Sequence, residues 1–163
     1  MVEPRYIKDF PIEGVNFIDI SPVLADGSTF NSLIEEMCTK IPKDVDYIIS
    51  PESRGYIFGC AVATRLGKGF VPIRKPGKLP NNLVFSAEYE KEYGKDTLCL
   101  PKNDNYANKK FYFVDDVLAT AGTLKASKEL IQKCNGIYEG GIVYINISFL
   151  NTEEIEYLRE ENK

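Results

Sequence analysis

The chain has 163 residues, of which 44% are hydrophobic and 27% are charged, an ordinary balance for a globular protein with a sizeable core. Its net charge of −4 argues against nucleic acid as a partner, and the absence of histidine excludes Ser-His and Cys-His nucleophilic sites as well as His-built metal sites. Because the sequence lacks both the ~18-residue apolar run of a membrane helix and a basic-then-apolar leader, we expect a cytoplasmic protein without a membrane partner.

Four apolar segments rich in β-branched and aromatic residues predict strands. They are VDYIIS (45–50), GFVPIRK (69–75), KFYFVDD (110–116) and GIVYINISFL (141–150). Their nearly continuous apolar character is typical of strands that are buried on both faces of a sheet.

Helical periodicity lies between these strands. It predicts one helix over about 28–40, with Ser28 or Thr29 as its N-cap, a second over 55–66 and a third over about 122–134. Strands that alternate with helices predict an α/β fold whose mainly parallel sheet is flanked by helices. We expect residues 1–163 to form a single domain.

Two segments depart from the alternating pattern. Residues 75–109 carry several Pro, Gly and Asn residues and then a mixed polar run, which predicts a flexible loop insertion with some hairpin content. The acidic tail NTEEIEYLREENK, from residue 151, is expected to form a surface helix that frays. The four cysteines are widely spaced, which predicts reduced thiols.

Positive charge is concentrated in residues 51–80. Six basic residues and one glutamate give this segment a charge of +5, so the rest of the chain carries −9. A cationic stretch in an acidic protein suggests a small anionic ligand, although a solvated surface with ordinary lysines would have the same composition.

The segment FYFVDDVLATAGT (111–123) joins a buried strand to a helix through two carboxylates and a run of small and hydroxyl residues. Ligands of open α/β sheets bind at the carboxyl ends of the strands, where Asp115 and Asp116 lie. Small residues at a helix N-terminus let backbone N–H groups bind an anion. A sugar phosphate would satisfy both features, whereas a helix cap and a turn are the structural alternative.

The string VDDVLATAGT (114–123) resembles the signature of the type I phosphoribosyltransferases. Four further stretches are similar to the adenine-specific members of that family: DFPIEGVNFIDISPVL (9–24), ISPESRGYIFG (49–59), FVPIRKPGKLP (70–80) and AEYEKEYGKDTL (87–98). The five stretches occur in the family's order. The resemblance therefore covers most of residues 9–150 and implies the type I phosphoribosyltransferase fold, with a hood over the base at about 1–25 and a flexible catalytic loop within 75–109.

The resemblance implies a site for the ribose 5′-phosphate of phosphoribosyl pyrophosphate. Asp115 and Asp116 would face the ribose hydroxyls, and the phosphate would bind the loop formed by Ala119, Thr120, Ala121, Gly122 and Thr123. The family commonly has glycine where this chain has Ala121. We expect a helical backbone at Ala121, because positive φ costs alanine roughly 1–2 kcal/mol.

The basic segment corresponds by resemblance to the pyrophosphate site. The residues implied are Ser53, Arg54, Arg74, Lys75 and Lys78. For the last three, the resemblance leaves open that one acts from a partner subunit. The planar guanidinium of Arg54 suits two charge-assisted bonds to a phosphate. The resemblance also implies a non-proline cis peptide bond at Glu52–Ser53.

The base and the catalytic loop complete the implied site. Phe17 would stack on a purine face, and the backbone groups of Asn16 and Ile18 would read its edge. Glu92 and Tyr93 match the Glu-Tyr pair of the family's catalytic loop. Catalytic roles are therefore expected of Glu92, Tyr93 and Arg54.

The activity implied is transfer of a phosphoribosyl group from phosphoribosyl pyrophosphate to adenine, which yields AMP and pyrophosphate in purine salvage. The resemblance implies Mg²⁺ held through the substrate rather than by protein ligands, and a homodimer. The alternatives are a phosphoribosyltransferase for another purine base and a non-catalytic regulator that senses a nucleotide on the same fold. A generic doubly wound nucleotide-binding domain is a further alternative, but neither glycine-rich nucleotide motif occurs.

Overall fold

The structure is a computed structural model that describes residues 1–91 and 94–162. Its helices are α1 (Ser21–Ala25), α2 (Gly27–Lys40), α3 (Gly55–Leu66) and α4 (Gly122–Lys133). Its strands are β1 (Arg5–Ile7), β2 (Phe17–Asp19), β3 (Tyr47–Pro51), β4 (Gly69–Ile73), β5 (Val84–Lys91), β6 (Gly94–Pro101), β7 (Lys110–Leu118), β8 (Ile137–Ile147) and β9 (Glu156–Glu161). None of the helices in these described residues has the length and apolar character needed to cross a bilayer.

Five strands form the central sheet in the order β4-β3-β7-β8-β9, and every neighbouring pair is parallel. Parallel pairing requires crossovers, which α3 supplies between β3 and β4 and α4 supplies between β7 and β8. The predicted α/β fold with a mainly parallel sheet flanked by helices is confirmed.

Strand β7 shows how the sheet divides the core into two layers. Tyr112 and Val114 belong to a buried cluster that includes residues of α2 and α3, whereas Phe111 and Phe113 belong to a second cluster that includes residues of α4 and the β5–β6 hairpin. Successive strand side chains point to opposite faces, so a strand covered on both faces must be apolar at every position. This explains the unbroken apolar run from Phe111 to Val114.

The helices largely agree with the periodicity, and the main correction concerns the start of α2. Neither Ser28 nor Thr29 is its N-cap. The cap is Asp26, whose side chain accepts a hydrogen bond of 2.7 Å from the backbone N–H of Thr29. Asp, Ser and Thr are all good caps, so residue preference alone could not separate these adjacent candidates.

The prediction of a C-terminal surface helix was wrong, because residues 156–161 form β9 at the edge of the sheet. The backbone of β8 would otherwise present unpaired N–H and C=O groups on that edge. Arg159 of β9 also pairs with Glu3, and Leu158 packs against the core. These partners lie far away in sequence, so local periodicity did not reveal them.

The predicted insertion contains the hairpin β5–β6, which is antiparallel. The hairpin joins the edge of the main sheet through a bridge between Arg74 and Cys99, whose backbone groups exchange hydrogen bonds of 2.8 and 2.7 Å. The hairpin content is confirmed, and the hairpin is held beside the loop that follows β4.

A tight contact between α3 and β3 positions the segment that precedes α3. A Cβ atom added to Gly59 would lie 2.0 Å from Oγ of Ser50 and 2.8 Å from the ring of Phe70. We expect Gly59→Ala to lower the free energy of unfolding by about 1–3 kcal/mol through overpacking, as measured by urea denaturation. Gly27→Ala is the control because no atom from outside its adjacent residues and its own helix backbone lies within 4 Å of its added Cβ. An equal loss in both variants would contradict the packing argument.

Candidate active site

Asp115 and Asp116 lie near the carboxyl end of β7, and each is less than 10% exposed. Oδ1 of Asp115 accepts a hydrogen bond of 2.9 Å from the backbone N–H of Asp116. Burial, followed by the neighbouring Asp116 charge, raises the pKa of Asp115 well above its usual range. A buried carboxyl group of this kind is suited to hydrogen bonding with a ligand hydroxyl, either as a donor or as an acceptor.

Arg54 connects three of the predicted subsites. Its Nε lies 2.6 Å from Oδ2 of Asp116, and its Nη1 donates a 3.0 Å hydrogen bond to the carbonyl of Ile18. Its guanidinium carbon lies 5.4 Å from the ring centroid of Phe17, within the range of a cation–π contact. One side chain, which follows the end of β3, therefore contacts both the base hood and the carboxylate pair.

The two basic loops lie side by side, because β3 and β4 are neighbours and Pro51 pairs with Ile73. The backbone N–H of Lys75 donates to the carboxylate of Glu52, and the backbone N–H of Glu52 donates to the carbonyl of Ile73 at 3.0 Å. The Glu52–Ser53 peptide bond is cis, as the resemblance implied. The outer residues of this rim are exposed: Ser53, Lys75 and Lys78.

The segment 119–123, which is predicted to bind the 5′-phosphate and is called the phosphate loop below, connects β7 to α4. Ala121 is the N-cap residue of α4, and its φ of 64° and ψ of 10° place it in the left-handed region. The expectation of an ordinary helical backbone there was therefore wrong. The turn that directs the loop into α4 needs positive φ, and Ala121 adopts it although it carries a Cβ atom.

We expect Ala121→Gly to change the free energy of unfolding by less than about 1 kcal/mol. Glycine relieves roughly 1–2 kcal/mol of left-handed strain. Two effects oppose this gain. The buried methyl group of Ala121, which is 2% exposed, contributes about 0.8 kcal/mol through its removal from water. Glycine also raises the conformational entropy of the unfolded chain, which costs about 0.4–1 kcal/mol of stability. Urea denaturation measures the result, and a loss above 2 kcal/mol would show that the methyl group is needed for packing.

The β5–β6 hairpin packs directly on the phosphate loop. A Cβ atom added to Gly122 would lie 2.7 Å from the ring of Tyr89, a residue of β5. Glycine at 122 therefore permits the close approach of the hairpin. The predicted catalytic residues Glu92 and Tyr93 lie outside the described residues.

A pocket of about 400 Å³ lies between the hood, the phosphate loop and the ends of β8 and β9. Its lining includes four residues predicted from the sequence, namely Asn16, Ile18, Ala119 and Thr120, and four that were not, namely Tyr6, Phe149, Leu150 and Glu161. The sequence analysis placed Phe149 and Leu150 in the apolar segment 141–150, which predicted a strand, whereas the structure exposes their side chains by 54% and 44%. The pairing of β1 with β2 and of β9 with β8 brings Tyr6 and Glu161 to this pocket.

The amino-acid sequence matches a family of known proteins and two named relatives. The family model described as the phosphoribosyl transferase domain matches residues 23–137. The adenine phosphoribosyltransferase of Streptococcus uberis is 47% identical over 146 residues, which cover 89% of this chain and 84% of that protein. The enzyme of the same name from Streptococcus thermophilus is 46% identical over 149 residues, which cover 91% of this chain and 86% of that protein.

Two solved protein structures have a fold similar to that of this chain. The adenine phosphoribosyltransferase of Thermoanaerobacter pseudethanolicus superposes with a TM-score of 0.88 at 40% identity, covering 97% of this chain and 95% of the other. The enzyme of Saccharomyces cerevisiae, in complex with an imino-altritol bisphosphate and adenine, superposes with a TM-score of 0.81 at 37% identity, covering 90% and 86% of the two chains. Both similarities extend over nearly the whole fold.

Proposed function

The chain belongs to the phosphoribosyl transferase family, and from this premise we propose that it converts adenine and phosphoribosyl pyrophosphate to AMP and pyrophosphate. The observation that carries the proposal is the position of Arg54, which contacts the hood residue Phe17 and the carboxylate of Asp116 at once. A base, a ribose and a diphosphate joined in one substrate complex require their subsites to be this close. Relatives named for the same activity support the choice of adenine.

The proposal assigns each subsite a part of the substrates. Phe17 stacks on adenine, and the backbone groups of Asn16 and Ile18 bind its edge. Asp115 and Asp116 bind the ribose hydroxyls, while the 5′-phosphate binds the phosphate loop Ala119–Thr123. Pyrophosphate binds the cationic rim made by Ser53, Arg54, Arg74, Lys75 and Lys78.

Arg54 has to exchange partners when the substrates bind. In the structure its guanidinium covers one side of the Phe17 ring and pairs with Asp116. A diphosphate offers stronger charge-assisted bonds than these partly exposed contacts. Movement of Arg54 toward the diphosphate would uncover the ring for adenine and free the carboxylate for the ribose.

The reaction is a displacement at C1 of the ribose. The N9–C1 bond forms while the bond from C1 to the pyrophosphate oxygen breaks, and the transition state resembles an oxocarbenium ion. This chemistry needs no protein nucleophile, which agrees with the absence of histidine. Arg54, Lys75 and Lys78 stabilise the departing charge. Glu92 accepts or relays the proton of N9, and closure of the segment that carries Glu92 and Tyr93 over the substrates excludes water.

Magnesium fits this site as an ion held mainly by the substrate. The described residues contain no cluster of three or more metal-ligating side chains, and Mg²⁺ commonly keeps water and phosphate oxygens as ligands. When bound to the diphosphate, the ion would neutralise negative charge on the leaving group. The carboxylates of Asp115 and Asp116 would orient the ribose to which that diphosphate is attached.

The assembly and the compartment are also part of the proposal. The uncovered side chains of α3, including Ile57 at 41% exposure and the exposed Cys60, support a homodimer that buries this helix face. The four cysteines are free thiols, which supports a cytoplasmic location. We propose that residues 1–163 act as one catalytic domain in each subunit.

The test is a coupled assay of AMP formation from adenine, phosphoribosyl pyrophosphate and Mg²⁺, with hypoxanthine, guanine and xanthine in parallel. We expect turnover with adenine and little with the other bases. Preference for a 6-oxopurine would overturn the assignment of adenine. Binding of phosphoribosyl pyrophosphate without turnover of any base would indicate a regulator instead.

A further inference from the structure

The segment that follows β8 contacts the phosphate loop through one side chain. Nδ2 of Asn151 donates to the carbonyl oxygen of Ala119, the first residue of the phosphate loop, at 2.9 Å. The same nitrogen lies 3.1 Å from Oδ1 of Asn146 and 3.2 Å from the carbonyl oxygen of Ile147. Two amide hydrogens therefore serve three acceptors, and the phosphate loop is tied to the end of β8.

The same segment reaches the helix on the other side of the phosphate loop. Oδ1 of Asn151 accepts a 3.1 Å hydrogen bond from the backbone N–H of Glu153. The carboxylate of Glu153 lies 2.6 Å from Nζ of Lys128 and 3.7 Å from Nζ of Lys125, both of which belong to α4. The Glu153 side chain is only 18% exposed, so these ion pairs are partly shielded from water.

We propose that Asn151 is a positioning residue, which holds the phosphate loop in the conformation that binds the 5′-phosphate. A phosphate is bound by backbone N–H groups only when these groups already point toward one centre. The loop has no side-chain cap at the start of α4, and its N-cap residue Ala121 is in the left-handed region. An anchor on the carbonyl of Ala119 restrains the loop at the end opposite α4, and the Glu153 ion pairs restrain α4 itself.

The inference rests on the proposed use of the phosphate loop Ala119–Thr123, and it predicts a ligand-selective effect. Loss of the Asn151 amide should weaken the binding of ligands that carry the 5′-phosphate and leave the binding of other ligands unchanged. Removing a hydrogen bond of this kind corresponds to about a 3–10-fold weaker affinity. A general loss of packing would instead weaken all ligands together.

The experiment compares Asn151→Ala and Asn151→Asp with wild type by isothermal titration of ribose 5-phosphate and, separately, inorganic pyrophosphate. The aspartate variant keeps the size of the side chain and the acceptor for Glu153, but it places negative charge against three acceptor oxygens. We expect ribose 5-phosphate to bind about 3–10-fold more weakly to the alanine variant and at least as weakly to the aspartate variant, with pyrophosphate unchanged. Thr152→Ala, at an exposed neighbouring position, is the control and should bind both ligands like wild type.

Two results would contradict the inference in distinguishable ways. If wild type forms AMP and both Asn151 variants bind ribose 5-phosphate as tightly as wild type, or lose pyrophosphate affinity equally, only the role of Asn151 is overturned. If wild type neither binds ribose 5-phosphate nor forms AMP, the proposed function fails and the inference fails with it.

Discussion

Substitution of Glu92 by alanine is expected to lower turnover by about 10²–10⁴-fold, the usual contribution of a general acid or base. The carboxylate is proposed to accept or relay the proton that leaves N9 of adenine while the new bond forms at C1. Affinity for phosphoribosyl pyrophosphate should be nearly unchanged, because this substrate is proposed to bind at the cationic rim and the phosphate loop. Steady-state AMP formation measures turnover, and titration of phosphoribosyl pyrophosphate measures binding.

Glu90→Ala is the matched control for Glu92→Ala. Glu90 is an exposed residue of β5 and lies two positions before Glu92 in the sequence. Its loss should leave turnover within a factor of about two, since exposed charges contribute little. Equal turnover in Glu92→Ala and wild type would remove Glu92 from the mechanism, and equal losses in the two variants would point to a general effect of hairpin charge.

Substitution of Arg54 by alanine should lower the affinity for pyrophosphate and phosphoribosyl pyrophosphate by about 10–100-fold. The affinity for AMP should fall by less. Hydrogen bonds to charged groups contribute about 1.5–3 kcal/mol, and the partial exposure of Arg54, 37% for its side chain, places the effect in the lower part of that range. AMP has no diphosphate for Arg54 to bind. Its affinity should therefore fall only because Asp116, which is proposed to bind the ribose, loses its ion-pair partner. Isothermal titration with the three ligands measures the difference.

Two further variants test whether the shape of the Arg54 side chain matters. Arg54→Lys keeps the positive charge beside Asp116 but not the planar fork, so its losses should be intermediate. Arg65→Ala removes another arginine of this region, whose exposed pair with Glu35 has an N···O distance of 3.2 Å, and should bind all three ligands like wild type. Equal losses for pyrophosphate, phosphoribosyl pyrophosphate and AMP in Arg54→Ala would contradict the assignment of Arg54 to the diphosphate.

The fold class and the edge of the sheet that carries the site were predictable from local patterns. Apolar runs marked β3, β4, β7 and β8, and the rule that ligands bind at the carboxyl ends of parallel strands placed Arg54 and the Asp115–Asp116 pair at the same edge. The family resemblance supplied the roles of these residues. Recognition of this kind depends on short strings in order, which survive even where single residues such as Ala121 differ.

Contacts between distant segments were not predictable in this way. The pairing of Arg54 with Asp116 joins residues 62 positions apart in the sequence, and the amide of Asn151 reaches a carbonyl 32 positions earlier. Tyr6 and Glu161 lie near the two ends of the described chain, yet they are hydrogen-bonded to each other and both line the pocket of about 400 Å³. Each of these contacts depends on which strands become neighbours, and periodicity in a single segment carries no information about its neighbours.

The sequence by itself therefore determined that the fold is a parallel sheet flanked by helices. It also determined which strand ends carry charged groups and to which family the chain belongs. These properties follow from local periodicity and short motifs. The tertiary structure alone decided that the tail forms β9, that Ala121 adopts positive φ and that the amide of Asn151 donates to the carbonyl of Ala119. The physical reason is that a backbone group or a buried side chain takes whichever partner the packed sheet brings within hydrogen-bonding distance. That partner is set by the order of the strands in space rather than by their order along the chain.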